Sequence, residues 1–258
     1  MDLRGSIVMV TGASSGIGAA CARAFADLGC RLLLVARRGD RLDAVAAEVA
    51  SRGAEVLPAR LDVRDRQAVE AWHRGLPPGW SAIRVLVNNA GLARGVSPLH
   101  EGDVVDWDEM VDTNLKGLLY VSRVVVPGMV ERGVGHVINI GSIAGHEVYP
   151  GGNVYCATKH AVTALGRGMG IDLLGTGVRV SSVDPGMVET EFSLVRFHGD
   201  QDRADAVYRG LEALSGDDVA DAVVFCATRP AHANVREMVL MPSAQASAVH
   251  SHRLPVDD

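Results

Sequence analysis

Aromatic residues are scarce in this chain, making up 4% of its 258 residues. Any core must therefore be built mainly from Val, Leu, Ile and Ala, and the 48% apolar content is enough for a sizeable one. Lys and Arg form no cluster and the net charge is −6, which argues against nucleic acid and anionic membrane surfaces as partners. The longest apolar stretches are strand-sized or broken by charge, so no membrane-spanning helix is expected. Met1 leads straight into the strand-like run Ser6–Val10 with no signal peptide, and a cytoplasmic protein is expected. Cys21, Cys30, Cys156 and Cys226 form no CxxC pair and read as reduced, mostly buried thiols. His250 and His252 lie close together in a polar tail with no further ligand beside them, so no metal site is expected.

Strand-like runs alternate with helical patterns along the whole length. Strands are expected over Ser6–Val10, Arg31–Val35, Glu55–Leu61, Ile83–Val87, His136–Ile140, Val178–Val183 and Met238–Met241. Between them, helices are expected from Ile17 to Leu28 and over Leu42–Ala50, Ala68–Trp72, Val104–Asn114, Leu115–Val130, Val154–Leu174 and Val219–Thr228. A segment from Met187 to Leu214 breaks the rhythm. This alternation implies one doubly wound α/β domain over residues 1–258: a seven-stranded parallel sheet, Rossmann-type, with helices on both faces. A dinucleotide-binding half is expected over about 1–141. The catalytic helix and a substrate-covering segment follow over about 142–241, and then a tail, 242–258.

Two motifs carry the chemistry. Thr11-Gly12-Ala13-Ser14-Ser15-Gly16-Ile17-Gly18 falls between the first strand and the first helix. Its glycines permit a tight turn and a close backbone approach to a pyrophosphate, which the helix N-terminus would hold. At the end of the second strand stand Arg37 and Arg38, with Arg37 19 residues past Gly18. A cationic fork there suits a 2′-phosphate, so NADP is the expected cofactor. Downstream, Tyr155 and Lys159 stand four residues apart on one helix face, where the ammonium would favour the phenolate and lower the Tyr155 pKa. Ser142 follows the fifth strand and can hold a substrate oxygen beside Tyr155.

With these residues in place, the chain resembles the short-chain dehydrogenase/reductase family over nearly its whole length. Besides the phosphate loop, the resemblance rests on Asp62-Val63, on Asn88-Asn89-Ala90-Gly91, on Asn114 with Ser142, Tyr155 and Lys159, and on Pro185-Gly186 with Val188 and Thr190. It implies Tyr155 as acid/base, Ser142 as stabiliser of the substrate oxygen, Lys159 as binder of the nicotinamide ribose, and Asn114 as holder of a water linking Lys159 to solvent. It implies NADP contacts from Gly12, Ser14, Ser15, Gly16, Ile17, Gly18, Arg37, Arg38, Asp62, Val63, Asn89, Ala90, Gly91, Tyr155, Lys159, Pro185, Gly186, Val188 and Thr190. It also implies a homo-oligomer, typically a tetramer, formed through the helices Leu115–Val130 and Val154–Leu174.

Within the family the chain is similar to bacterial NADP-dependent 3-hydroxy acid dehydrogenases, which include serine and allo-threonine dehydrogenases. The stretches that carry this are Asp106–Asn114, Pro127–Arg132, Gly151–Tyr155, Thr190–Phe197 with His198–Asp200, and Arg229–His232. A small 3-hydroxy acid is the implied substrate, and an aldehyde or ketone of specialised metabolism is the alternative. A substrate carboxylate needs a fixed cation. Arg196 in the covering segment is the candidate, although it also reads as a surface or subunit-interface arginine, and Arg94 is a second choice. His146-Glu147, between the Ser and Tyr positions, departs from that subgroup and is expected to line the pocket. Cys156 and the glycines Gly166, Gly168 and Gly170 are further departures, and a close helix contact would explain the glycines. A silent NADP-binding regulator is disfavoured, because all four tetrad residues are present.

Overall fold

A computed structural model describes residues 1–255, and residues 256–258 of the tail lie outside it. Seven parallel strands form a single sheet in the order β3-β2-β1-β4-β5-β6-β7. They are β1 (Ile7–Thr11), β2 (Arg31–Ala36), β3 (Val56–Arg60), β4 (Ile83–Asn88), β5 (Gly135–Ile140), β6 (Val178–Pro185) and β7 (Glu237–Leu240). The order reverses between β1 and β4, and the crevice beyond the carboxyl ends of these strands is where ligands bind in such sheets.

Burial on both faces explains the unbroken apolar strands. Val8, Val10, Leu32 and Leu34 face one layer with Phe25 and Val223, while Ile7, Met9, Leu33 and Val35 face the other with Val121 and Met129. The first layer holds α1 (Gly16–Asp27), α2 (Gly39–Ser51) and α9 (Gly216–Thr228). The second holds α3 (Arg66–Arg74), α5 (Leu118–Glu131) and α6 (Asn153–Asp172). All four cysteines are free and buried.

Two details differ from the sequence reading. The expected helices over Val104–Asn114 and Leu115–Val130 form one continuous rod: α4 (Val104–Val111), a π-helical turn over Asp112–Gly117, then α5. The wider turn contains Asn114, and such turns concentrate at functional positions. The irregular segment from Met187 to Leu214 contains two short helices, α7 (Phe192–Arg196) and α8 (Gln201–Ala206). Of the α6 glycines, Gly166 faces Asn139, whereas a Cβ at Gly168 or Gly170 would meet nothing within 4 Å, so no close helix contact among the described residues accounts for those two.

Candidate active site

The phosphate loop is held in place by Asn89, the residue that follows β4. Gly12 and Gly16 have φ of +67° and +52°, where a side chain is strained. A Cβ on Gly18 would lie 2.3 Å from the Gly12 carbonyl oxygen. Asn89 donates its amide to the Thr11 and Gly12 carbonyls at 2.9 and 3.2 Å. The Thr11 hydroxyl accepts the Asn89 and Ala90 backbone amides at 3.0 Å each. Asn89 thus braces the loop, and α1 begins there with no acid in its first turn, so its amides and dipole stay open to an anion.

A cavity of about 610 Å³ runs from this loop to the end of β5. Its walls include Gly12, Ser14, Ser15, Gly16 and Ile17, then Arg37, Arg38, Val63, Asn89, Ala90 and Gly91. At the far end are Ser142, Tyr155, Lys159, Pro185, Gly186, Val188 and Thr190. Gly18, Asp62 and Asn114 lie behind the wall rather than on it. Volume, glycine cradle, helix terminus and guanidinium groups fit a dinucleotide carrying a 2′-phosphate. Thr113 borders the cavity, and its buried Oγ1 has no hydrogen-bond partner among the described residues.

The arginines of the second strand end are already engaged. Arg37 lies 4.0 Å from Asp62 and 3.7 Å from Glu109. Asp62 also binds Arg64 at 2.7 Å. Arg38 donates to Ser15 Oγ at 2.6 Å, Ser14 Oγ at 3.3 Å and Glu191 at 3.0 Å. Arg41 binds the other oxygen of Glu191.

At the opposite end Ser142, Tyr155 and Lys159 converge, each under a tenth exposed. The Ser142 hydroxyl donates to the Pro185 carbonyl at 3.4 Å and accepts the Ala144 amide at 3.1 Å. Lys159 Nζ donates to the Ile140 carbonyl at 2.9 Å and stands 5.9 Å from the Tyr155 ring centre. Burial pulls the ammonium down to about 8, partly offset by Asp184. Burial, reinforced by Tyr149, pushes the Tyr155 phenol up, against the pull of Arg196 and Ser142. The expected lowering of Tyr155 by Lys159 is thus absent from the protein alone, because desolvation outweighs the neighbouring charge. The Asn114 side-chain amide is committed to Leu92, accepting and donating at 2.8 Å, and to Thr158 Oγ1 at 3.1 Å, so the side chain braces the site.

Arg196 packs behind Tyr155 and Phe192 and is not itself on the cavity wall. Its guanidinium lies 5.2 Å from the ring centres of Tyr155 and Phe192 and donates to the Tyr149 hydroxyl at 2.7 Å. Its buried Nε has no partner among the described residues. Arg94 lines the cavity, but Glu109 at 2.7 Å neutralises it. His146 and Glu147 do not line the cavity as expected. His146 turns to the buried Asp184 at 2.8 Å, and Glu147 accepts the Ala248 amide of the tail at 2.8 Å. In each case the polar side chain finds a partner away from the apolar pocket. The sequence reading missed Tyr149, Arg41, Glu109 and Glu191. Tyr149 falls between Ser142 and Tyr155, and Glu109 and Glu191 fall in the stretches Asp106–Asn114 and Thr190–Phe197, whereas Arg41 carried no sequence signal.

Residues 6–200 match the family model described as short chain dehydrogenase. The chain is 49% identical over 243 residues to the NADP-dependent 3-hydroxy acid dehydrogenase YdfG of Salmonella typhi, covering 94% of this chain and 97% of that one. It is 47% identical over 241 residues to sulfoacetaldehyde reductase 2 of Chromohalobacter salexigens, covering 93% and 95%. Among solved structures, the closed form of serine dehydrogenase complexed with NADP+ superposes with a TM-score of 0.90 at 46% identity, covering 96% of this chain and 100% of that one.

Proposed function

The chain belongs to the short-chain dehydrogenase/reductase family, and from that premise we propose that it oxidises and reforms the 3-hydroxyl of a small hydroxy acid of the serine, allo-threonine or 3-hydroxyisobutyrate type. It is an NADP-dependent oxidoreductase acting on CH–OH groups. The observation that carries the substrate reading is Arg196, a half-buried cation whose guanidinium packs against the ring of Tyr155 and whose Nε has no partner among the described residues. Such a group suits an anion held beside the reacting carbon.

Bound NADP supplies the hydride acceptor, and its reduced form the donor. Gly12, Ser14, Ser15, Gly16, Ile17, Arg37 and Arg38 hold the adenosine and phosphate end, braced by Gly18 and Asn89. Val63, Ala90 and Gly91 flank the middle, and Pro185, Gly186, Val188 and Thr190 hold the far end. Asp62 acts on the site through Arg37 and Arg64. Ser142 donates its hydroxyl to the substrate oxygen. Tyr155 takes the proton from that oxygen in oxidation and returns it in reduction. Lys159 sets the charge beside Tyr155, and Asn114 fixes the turn behind both.

The second reading is a reductase of small aldehydes or ketones. The 47% identity to a sulfoacetaldehyde reductase favours an anionic member of that class, since a sulfonate makes the same demand on Arg196 as a carboxylate. A panel of L-serine, L-allo-threonine, 3-hydroxyisobutyrate and small aldehydes, followed through NADPH absorbance, separates the readings. Oxidation of the acids that disappears in Tyr155→Phe supports the first. Reduction of aldehydes with silence on the acids replaces it with the second.

We further infer a homo-oligomer, on the strength of apolar side chains left open on the long helices: Leu119 on α5, and Ile171 with the adjoining Leu174 on α6. Four free cysteines suit a reducing cytoplasm. The division at about residue 141 marks the passage from the phosphate half to the substrate half, both sharing one sheet.

A further inference from the structure

The cations expected to receive a 2′-phosphate are not bare in this chain. Arg38 Nη1 lies 3.0 Å from one carboxylate oxygen of Glu191, and Arg41 Nη1 binds the other. Arg38 is also aimed at the phosphate loop through Ser15 and Ser14. Glu191 lies on the cavity wall with Arg38, Ser14 and Ser15. Its position in the chain gives this pairing a consequence. Glu191 precedes α7, the short helix that ends in Arg196. Thr190, just before it, packs where a Cβ on Gly16 would lie 3.2 Å away. One carboxylate therefore ties the substrate-covering segment to the adenosine end of the cavity.

Charge balance decides what happens when a phosphate arrives. Two guanidinium groups against one carboxylate leave a surplus of one positive charge. A phosphate monoester brings about −1.5 to −2, so it matches Arg38 and Arg41 by itself. With Glu191 still in place the cluster would turn net negative, with like charges sharing the same donors. A phosphate also offers more acceptor oxygens to two guanidinium forks than a carboxylate does. The exchange is favoured on both grounds.

We propose that Glu191 is a built-in stand-in for the 2′-phosphate of NADP: it neutralises Arg38 and Arg41 in the ligand-free chain, gives them up to the phosphate, and thereby releases α7 and Arg196 to reposition over the substrate. This rests on the NADP reading and extends it, because it makes the phosphate a signal to the substrate pocket as well as a binding handle. NADH, without the phosphate, would leave Glu191 on its arginines. Selectivity for NADP would then include a step of segment release.

The test is binding, measured by titration calorimetry on the full chain with NADPH, NADH, 2′,5′-ADP and 5′-AMP. Glu191→Gln keeps the size and removes the charge. It is expected to bind NADPH and 2′,5′-ADP roughly tenfold more tightly and NADH and 5′-AMP within about twofold of the parent chain. Hydrogen–deuterium exchange supplies the second readout. 2′,5′-ADP should change exchange over residues 190–196 in the parent chain while 5′-AMP does not, and Glu191→Gln should show the changed pattern without ligand. Unchanged or weaker 2′-phosphate binding in Glu191→Gln overturns the proposal, as does exchange over residues 190–196 that ignores the phosphate. A parent chain that prefers NADH to NADPH would sink the cofactor reading instead. An equal gain for all four ligands would sink Glu191's role alone. Arg41→Gln provides an independent variant: it should weaken 2′,5′-ADP and spare 5′-AMP, and equal effects on both count against the scheme.

Discussion

The imidazole of His146 reaches Asp184 Oδ2 at 2.8 Å, and Asp184 has no exposed surface. The pair ties the turn after Ser142 to the end of β6, directly before Pro185-Gly186. Ser182 donates to the other Asp184 oxygen, and a Cβ on Gly141 would collide with it at 1.8 Å. The ends of β5 and β6, which present the candidate substrate-oxygen group and the far end of the cofactor cavity, are thereby locked together.

Removing His146 leaves a buried carboxylate short of a partner. His146→Ala is expected to destabilise the chain by about 1–3 kcal/mol, read by urea unfolding, while His146→Gln retains a donor and recovers part of the loss. Equal stability of parent and His146→Ala would show that the contact contributes nothing.

Lys159 makes stability depend on pH in a defined direction. Its ordinary value is 10.5 and burial brings it to about 8 in the folded chain. Below pH 8 both folded and unfolded states carry the proton, and the cost of the buried ammonium is present in full. Between about 8 and 10.5 the unfolded chain holds a proton that the folded chain lacks, so stability rises with pH, and above that window the cost is gone. The shift corresponds to about 3 kcal/mol, and loss of the hydrogen bond to Ile140 offsets part of it. Lys159→Met in the ligand-free protein should therefore be roughly 1–3 kcal/mol more stable at pH 7, with the difference closing toward pH 10. A difference that stays constant between pH 7 and pH 10 would refute this. Activity should be lost throughout.

Arg196 separates charged from neutral substrates. Arg196→Met is expected to raise KM for 3-hydroxy acids roughly 10- to 100-fold, with little change for an uncharged aldehyde of similar size. The same penalty on both would mean that Arg196 supports the rings of Tyr155 and Phe192 without meeting the substrate.

Ile171 and Leu174 are 75% and 86% exposed. Replacing both by Glu should lower the mass found by light scattering if this end of α6 packs against a second copy, while changing the stability of a single chain by no more than about 0.5 kcal/mol. An unchanged oligomer would move the contact elsewhere.

Much of this molecule is legible in its sequence. Unbroken apolar runs such as Leu32–Val35 read as strands buried on both faces, and their alternation with amphipathic helices implies a parallel sheet. The phosphate loop is legible for a similar reason: Gly12, Gly16 and Gly18 occupy places where backbone conformation or close approach excludes side chains. Tyr155 and Lys159 share a helix face by spacing alone.

Long-range pairing was not legible. Nothing in the order of residues says that Glu191 meets Arg38 and Arg41, about 150 positions away, or that His146 turns to Asp184 instead of the pocket. A polar side chain chooses its partner by what the fold brings within about 3 Å, and burial sets the charge it keeps. That is why the sequence alone placed Lys159 beside Tyr155 but did not show the burial that pushes the phenol up. Backbone geometry and apolar periodicity are local and belong to the sequence. Charge pairing, desolvation and the coupling of the two ends of the cavity are decided only once the strands lie side by side.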